Sequence, residues 1–122
     1  MNKHKVLAEI LETSYECMEN DWDGYGADKI TGKGIHAVTF FLEKLPIDLL
    51  TPEVSADPHG HLTLEWYSSP KNLLSITIGY EEIYFVFCYE GEDMVGTLDL
   101  TEDAATTMGN LSRLVSSVPL ET

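Results

Sequence analysis

The spacing of apolar residues changes twice along this 122-residue chain, and those changes constrain its fold more than any other feature. Before about residue 53, apolar side chains recur every three or four positions, which indicates amphipathic helices. From about residue 53 to residue 100 they mostly alternate with polar side chains, which indicates half-buried strands. After residue 101 the helical spacing returns. We therefore predict helices packed on one face of an antiparallel sheet whose strands follow one another through hairpins.

Three helices are predicted, each from an apolar stripe and its end signals. The first, of roughly four turns, has a stripe made of Val6, Leu7, Ile10, Leu11, Tyr15 and Met18. The second is expected to start at a Thr31 cap and to end at Pro46; its stripe is Ile35, Val38, Phe41, Leu42 and Leu45. The third is expected to start at a Thr101 cap and to end at Pro119; its stripe is Ala104, Met108, Leu111, Val115 and Val118.

Between the second and third helices the pattern predicts four or five strands. A first strand lies around residues 53–56, and a type I turn at residues 57–60 (DPHG) joins it to a strand in which Leu62, Leu64 and Trp66 share a face. Residues 83–89 are apolar or aromatic throughout, so we predict that they form the central strand with both faces covered or partly covered. The expected fold is a single α+β domain over residues 1–122, a two-layer sandwich of an antiparallel four- or five-stranded sheet against two to three helices, in the order ααβββββα.

Charge limits the classes of partner. Twenty-one acidic residues against seven basic ones give a net charge of −14, and residues 72–122 contain nine acids and one base, Arg113. Such a field repels nucleic acid and anionic lipid and attracts basic surfaces. Direct nucleic-acid binding is not expected, because phosphate neutralisation needs clustered Lys and Arg. We expect either a protein partner with a basic surface or acidity that serves solubility alone.

Cysteine usage and the N-terminal region bear on the compartment. Cys17 and Cys88 lie in different predicted elements, and both are expected to be small core or near-core residues. Residues 1–5 (MNKHK) lead into a helix without an apolar signal segment, and no apolar run is long enough to span a membrane. A cytoplasmic protein without membrane association is the expectation.

The segment of residues 20–27, here called the aspartate loop, contains the first candidate site. Asp21 and Asp23 alternate with Trp22 and stand beside Tyr25, so they could hold a cation or line a pocket. A calcium loop of the EF-hand type is excluded, because Tyr25 occupies the third ligand position. In the structural interpretation, which we favour, the two aromatic residues fill the gap between the first two helices and the sheet, and the aspartates cap backbone amides.

Other reactive side chains give weaker signals. His59 and His61 could share a metal, but Asp57 is the only further ligand nearby in sequence, and a solvated pair is favoured. Glu65 is expected on the outer face of the sheet, without an identifiable acid–base partner. The acidic turns at residues 81–82 and 90–93 are expected at opposite ends of the sheet, so a compact mimic of DNA phosphates has little support. No catalytic residue, cofactor or metal ligand is predicted.

Four segments together carry a resemblance: residues 22–27 (WDGYGA), 41–46 (FLEKLP), 52–55 (PEVS) and 60–66 (GHLTLEW). In this set the chain resembles small uncharacterised bacterial proteins associated with prophages and other mobile elements, over about residues 20–115. The resemblance implies one domain and a bacterial cytoplasmic setting. It implies no activity and carries over no catalytic residue.

The sequence thus favours a non-enzymatic interaction protein over an enzyme. We expect an accessory, regulatory or inhibitor- or antitoxin-like role through an exposed sheet edge or acidic face, with a homodimer through a sheet edge as a further possibility. The candidate interaction residues are Asp21, Trp22, Asp23, Tyr25, Glu65, Trp66 and Tyr67. The alternative is a small-ligand-binding protein or small enzyme with a pocket between the aspartate loop and the sheet.

Overall fold

The computed structural model describes residues 1–117 and contains the predicted order of elements, ααβββββα. The helices are α1 Lys3–Glu16, α2 Gly32–Lys44 and α3 Glu102–Ser116. The strands are β1 Glu53–Ala56, β2 Leu62–Ser69, β3 Asn72–Ile78, β4 Glu82–Tyr89 and β5 Glu92–Asp99. Asn2, Thr31 and Thr101 cap the three helices by accepting a hydrogen bond from a backbone amide of the first turn. The predicted α+β class is confirmed.

The five strands form one antiparallel sheet in the order β1-β2-β3-β4-β5, so each strand pairs with its neighbours in sequence. Turn chemistry explains this simple order. Gly60 closes the predicted turn by donating to the Asp57 carbonyl at 3.0 Å, with φ at +87°. Between β4 and β5 a two-residue turn places Glu90 and Gly91 at φ +53° and +86°. Two consecutive positive φ values match the twist of the flanking strands and specify a tight hairpin.

The core lies between one face of the sheet and the three helices. Across β2, β3 and β4, Leu64 pairs with Ile76 and Ile76 pairs with Phe85, which places these three side chains in one row on the helix-facing side. The predicted common face of Leu62, Leu64 and Trp66 is confirmed, since all three are buried. Helix α3 packs over β2, β3 and β4, whereas α1 packs against β1 and α2. The helices therefore cover the β1–β4 part of the sheet.

The prediction that residues 83–89 form the central strand is wrong. The central strand is β3, and β4 lies one place from the edge. On the face away from the helices, Tyr84 and Val86 are 42% and 44% exposed and Cys88 is buried, so this face of β4 is partly covered, as predicted. The apolar run misled because aromatic and β-branched residues favour any extended strand, covered or not. Tyr84 also has a polar end, and its hydroxyl donates to the Glu82 carboxylate at 2.7 Å.

The apolar stripe predicted for the first helix is only partly buried. Val6 and Ile10 have no exposed surface, but Tyr15 is 75% exposed, and Leu11 and Met18 are also exposed. Helix α1 lies over the short end strand β1, where only one narrow stripe of its surface finds a partner. In α3 the predicted core residues within the described range are buried or half-buried, while Val118 and Pro119 lie outside the described residues. None of the helices in residues 1–117 combines the length and apolar character that crossing a bilayer requires.

Candidate functional site: the aspartate loop, the outer sheet face and the β5 edge

Hydrogen bonds to two carboxylates hold the aspartate loop in one conformation. The Asp23 Oδ1 atom accepts from the amides of Tyr25 at 2.8 Å and Ala27 at 3.1 Å. The Asp21 Oδ1 atom accepts from the Gly26 amide at 2.7 Å, and the Asp21 amide donates to the Ala27 carbonyl at 2.7 Å. The predicted capping role of both aspartates is therefore confirmed, and their carboxylates serve the backbone.

The two aromatic residues of the loop have different environments. The Trp22 indole is half-buried against the core, and its N–H donates to the Asp28 carbonyl at 2.7 Å. Tyr25 is 93% exposed, so the expectation that it fills the gap beside the sheet is wrong. The reason is the local bend: Gly24 and Gly26 adopt φ of +78° and +82° on either side of Tyr25 and turn it outward. Tyr25 is the only one of the two that a partner can reach fully.

The predicted alternative was a ligand pocket at this loop. None of four prominent surface concavities among the described residues is lined by residues 20–27. Within residues 1–117 no group of three or more His, Cys, Asp or Glu side chains is arranged to hold a metal ion. The loop is thus held by hydrogen bonds to its own aspartates and has one exposed tyrosine at its tip.

Three consecutive residues of β2 lie in different environments: Glu65, Trp66 and Tyr67. Trp66 is buried, and its indole N–H donates to the Leu50 carbonyl at 2.7 Å, so it is not accessible to a partner. Glu65 and Tyr67 lie on the outer face, as predicted for Glu65. Glu65 pairs across the strands with Glu53, and like charges in such a position destabilise a sheet. Both carboxylates border an open concavity of about 360 Å³ that Tyr67 also lines.

The histidine pair lies at the other end of β2. His59 is exposed in the turn, where its amide donates to the Asp57 carboxylate at 2.6 Å. His61 is half-buried and makes an edge-on contact with Tyr80, with ring centroids 5.6 Å apart. The side chains line a shallow concavity of about 290 Å³ together with Asp57. The Asp57 carboxylate accepts a hydrogen bond within the turn, and of the two histidines only His59 is exposed, so the predicted solvated pair agrees with the structure for His59 alone.

Two groups on the outer face have raised pKa values, both through neighbouring carboxylates. The hydrogen bond to Glu82 raises the pKa of Tyr84, and burial and the charge on Glu82 add to the effect. Asp93 raises the pKa of the buried Cys88 thiol, first as a hydrogen-bond partner, with burial and charge adding further. A raised pKa keeps this thiol protonated at neutral pH, which makes Cys88 a poor nucleophile. As predicted, Cys17 and Cys88 are buried and free.

The last strand, β5, is the most open regular element of the described chain. Within residues 1–117 it pairs with β4 on one side and with no strand on the other. Of its eight residues only Gly96 and Leu98 are half-buried and none is buried; Val95 is 71% exposed and Met94 is 47% exposed. Glu92 and Asp93 lie at one end and Asp99 at the other. The unpaired side of this strand, called the β5 edge below, is an apolar centre between acidic ends.

Sequence reasoning proposed an exposed sheet edge but did not identify which one or name its residues. The sequence does contain a signal for the edge strands: when every connection is a hairpin, the first and last strands of the run become the two edges of the sheet. The first edge is poorly suited to pairing, because β1 has only four residues, lies between Pro52 and Pro58, and packs against α1. The candidate residues that sequence reasoning missed are therefore Met94, Val95 and Thr97.

Comparison of the chain with protein-family models, with curated proteins and with solved structures finds no match.

Proposed function

We propose that this protein is a non-enzymatic interaction module that binds a partner protein through a basic surface, in an accessory, regulatory or inhibitor- or antitoxin-like role in a bacterial mobile element. The observation that carries the proposal is the β5 edge, an uncovered eight-residue strand with acidic side chains at both ends. Exposed edges of this length attract other chains, and natural proteins usually shorten, cover or break them. Here the edge is long and regular, and no other strand within residues 1–117 pairs with it.

Charge selects the class of partner. The whole chain has a net charge of −14, and the acidic turns lie at both ends of β4 and β5, as predicted. Arg113, the single base of residues 72–122, is already paired with Asp48 at 2.9 Å. A negative field of this kind speeds the approach of a positively charged surface and rejects an acidic one. The proposal therefore specifies a basic protein and leaves out nucleic acid and anionic membranes.

Salt dependence and a charge-matched pair of variants test this proposal. The immobilised protein is incubated with bacterial extract at low salt and washed at rising salt, since the screening length falls to about 3 Å at 1 M. One variant neutralises the β5 edge (Glu92→Gln, Asp93→Asn, Asp99→Asn). The control removes the same charge from α1 and the segment after it (Glu12→Gln, Glu16→Gln, Glu19→Gln), where all three side chains are exposed.

We expect a basic protein that elutes with salt, is retained by the control variant and is lost by the β5 variant. Capture that is equally weakened by both variants would mean that total charge alone attracts basic proteins. Recovery of no macromolecule at low salt would count against an interaction role. In that case a screen of metabolites for a rise in melting temperature would test the small-ligand alternative.

A further inference from the structure

We infer that β5 binds its partner by strand addition, and that the partner contributes an extended segment with β-branched or other apolar residues at its centre and Lys or Arg at its ends. This inference rests on the proposed function and specifies the binding mode of the same edge. In strand addition, main-chain hydrogen bonds supply affinity and alternate side chains supply specificity. Three properties of β5 support it: its free backbone groups, its lack of protection and its charge pattern.

The phase of the β4–β5 ladder fixes which backbone groups are free. In a two-residue hairpin the pair that closes the turn, here Tyr89 and Glu92, is hydrogen-bonded, and bonded and non-bonded pairs then alternate. At the far end of the two strands the Leu100 amide donates to the Glu81 carbonyl at 2.9 Å. Glu81 and Leu100 are therefore also hydrogen-bonded, as the alternation from the turn requires. The amides and carbonyls that point away from β4 therefore belong to alternate residues: Asp93, Val95, Thr97 and Asp99.

Three of the usual protections of an edge strand, a bulge, proline and lysine, are missing from β5, whose charged residues are acidic and lie at its ends. The pairing with β4 runs from Glu82–Asp99 to Tyr89–Glu92 without a bulge. The strand contains no proline and no lysine, which are common means of blocking edge pairing. Glycine at position 96 is explained by packing, since a Cβ atom there would lie 3.0 Å from the Phe85 ring. The edge is therefore geometrically ready to accept another strand.

Charge argues against a second copy of this chain as the occupant. Pairing of two β5 strands about a two-fold axis is antiparallel, and it brings the Glu92–Asp93 end of one copy to the Asp99 end of the other. Like charges that oppose each other across strands are destabilising, and opposite charges are stabilising. The predicted homodimer through a sheet edge is thus disfavoured at β5. A strand with basic residues at its ends meets these acids and covers Met94 and Val95 with its apolar centre.

The inference is tested with a defined probe, a cyclic hairpin peptide that presents one such strand, with Lys opposite Glu92, Asp93 and Asp99 and Val and Thr between them. A second peptide replaces each Lys with Glu, and a third keeps Lys but N-methylates the amides that would bond to β5. Amide hydrogen exchange measured by NMR is the main readout. On binding of the first peptide, the Val95 and Thr97 amides should become protected, whereas those of Met94 and Gly96, already bonded to β4, should change little.

A substitution provides the matching test on the protein side. Val95→Pro removes a free amide without removing a bond to β4, and Val95→Ala keeps that amide. We expect Val95→Pro and the N-methylated peptide each to weaken binding about tenfold or more, and Val95→Ala to weaken it less. Should Val95→Pro fail to fold, the N-methylated peptide measures the same bond on the unaltered protein.

The possible outcomes separate this inference from the proposed function. If the Lys peptide binds with salt dependence but leaves the Val95 and Thr97 amides unprotected, the acidic residues bind it through their side chains. That result would overturn strand addition and leave the proposed interaction role intact. If the Lys and Glu peptides bind equally, or neither binds, the stated partner chemistry is wrong, and the extract experiment still judges the interaction role. If the free protein dimerises with Val95 and Thr97 protected, the occupant is a second copy and the inference fails.

Discussion

Replacement of Asp23 by alanine tests whether the aspartate loop is held by its own carboxylates. The Asp23 side chain accepts from the Tyr25 amide at 2.8 Å and the Ala27 amide at 3.1 Å. The loss of these two hydrogen bonds should have unequal effects on stability. The Tyr25 amide lies at an exposed tip, where water can replace the carboxylate, whereas Ala27 is buried. Hydrogen bonds to charged groups contribute about 1.5–3 kcal/mol each, and solvent reduces this, so we expect a loss of about 2 kcal/mol in the free energy of unfolding.

Urea unfolding followed by tryptophan fluorescence measures this loss. The chain is in the size range for which urea slopes are about 1–3 kcal/mol per molar, so the midpoint should fall by about 1 M. Asp23→Asn keeps one acceptor oxygen and should lose less, because the bonds become neutral. Asp28→Ala, directly after the loop, is the matched control: its side chain is exposed, and the carbonyl that accepts from Trp22 is retained. The control should change stability by less than about 0.5 kcal/mol.

Equal stability of Asp23→Ala and Asp28→Ala would refute this reasoning. The Asp23 carboxylate would then contribute nothing to holding the loop, and a role in binding a ligand would again be its best explanation. An unchanged wild-type midpoint in the presence of divalent cations is the complementary expectation. A cation that raised the midpoint of the wild-type protein but not of Asp23→Asn would point to a metal site.

Two further predictions concern backbone strain and pH. Gly60→Ala should lower the free energy of unfolding by about 2 kcal/mol or more, because φ is +87° and the new Cβ would lie 2.9 Å from the Lys29 carbonyl oxygen. Gly24→Ala, at φ +78° with open space around the Cβ position, should cost only about 1 kcal/mol, and calorimetry compares the two. The hydrogen bond from Arg113 lowers the pKa of Asp48, so this pair stabilises the fold above about pH 4 and loses its effect as pH falls through the lower folded-state value. Asp48→Asn should therefore reduce stability at neutral pH and converge with wild type in acid; an equal difference at every pH would contradict this.

Local signals predicted most of the fold. Turn residues at 57–60 and the alternation around Leu64 and Ile76 determined hairpins, faces and element order, because hydrogen bonding and steric rules act over a few residues. The same reasoning located both aspartates as caps. It was wrong about Tyr25, since exposure depends on what lies opposite a residue, and no local pattern contains that information.

The candidate interaction residues show the same difference between what local patterns predict and what the tertiary structure decides. The sequence alone proposed Trp66 and Tyr67 together, since both are aromatic and adjacent on one strand. Alternation of side chains buries the first against the Leu50 carbonyl and exposes the second on the outer face. The sequence pattern does not single out Val95, because one valine in a predicted strand carries no distinctive signal. Its interest comes from its position on the one long unpaired edge.

The sequence by itself determined the charge of this protein, its element order and the faces on which its apolar residues lie, because composition and short-range periodicity specify these directly. Only the tertiary structure decided where the helical layer stops. Three helices cover β1 to β4 and leave β5 without a neighbour on its outer side. Hairpin order alone makes the last strand an edge. The area that three packed helices can cover is a property of the assembled layers, so only the folded domain shows that the helices reach β4 and stop short of β5.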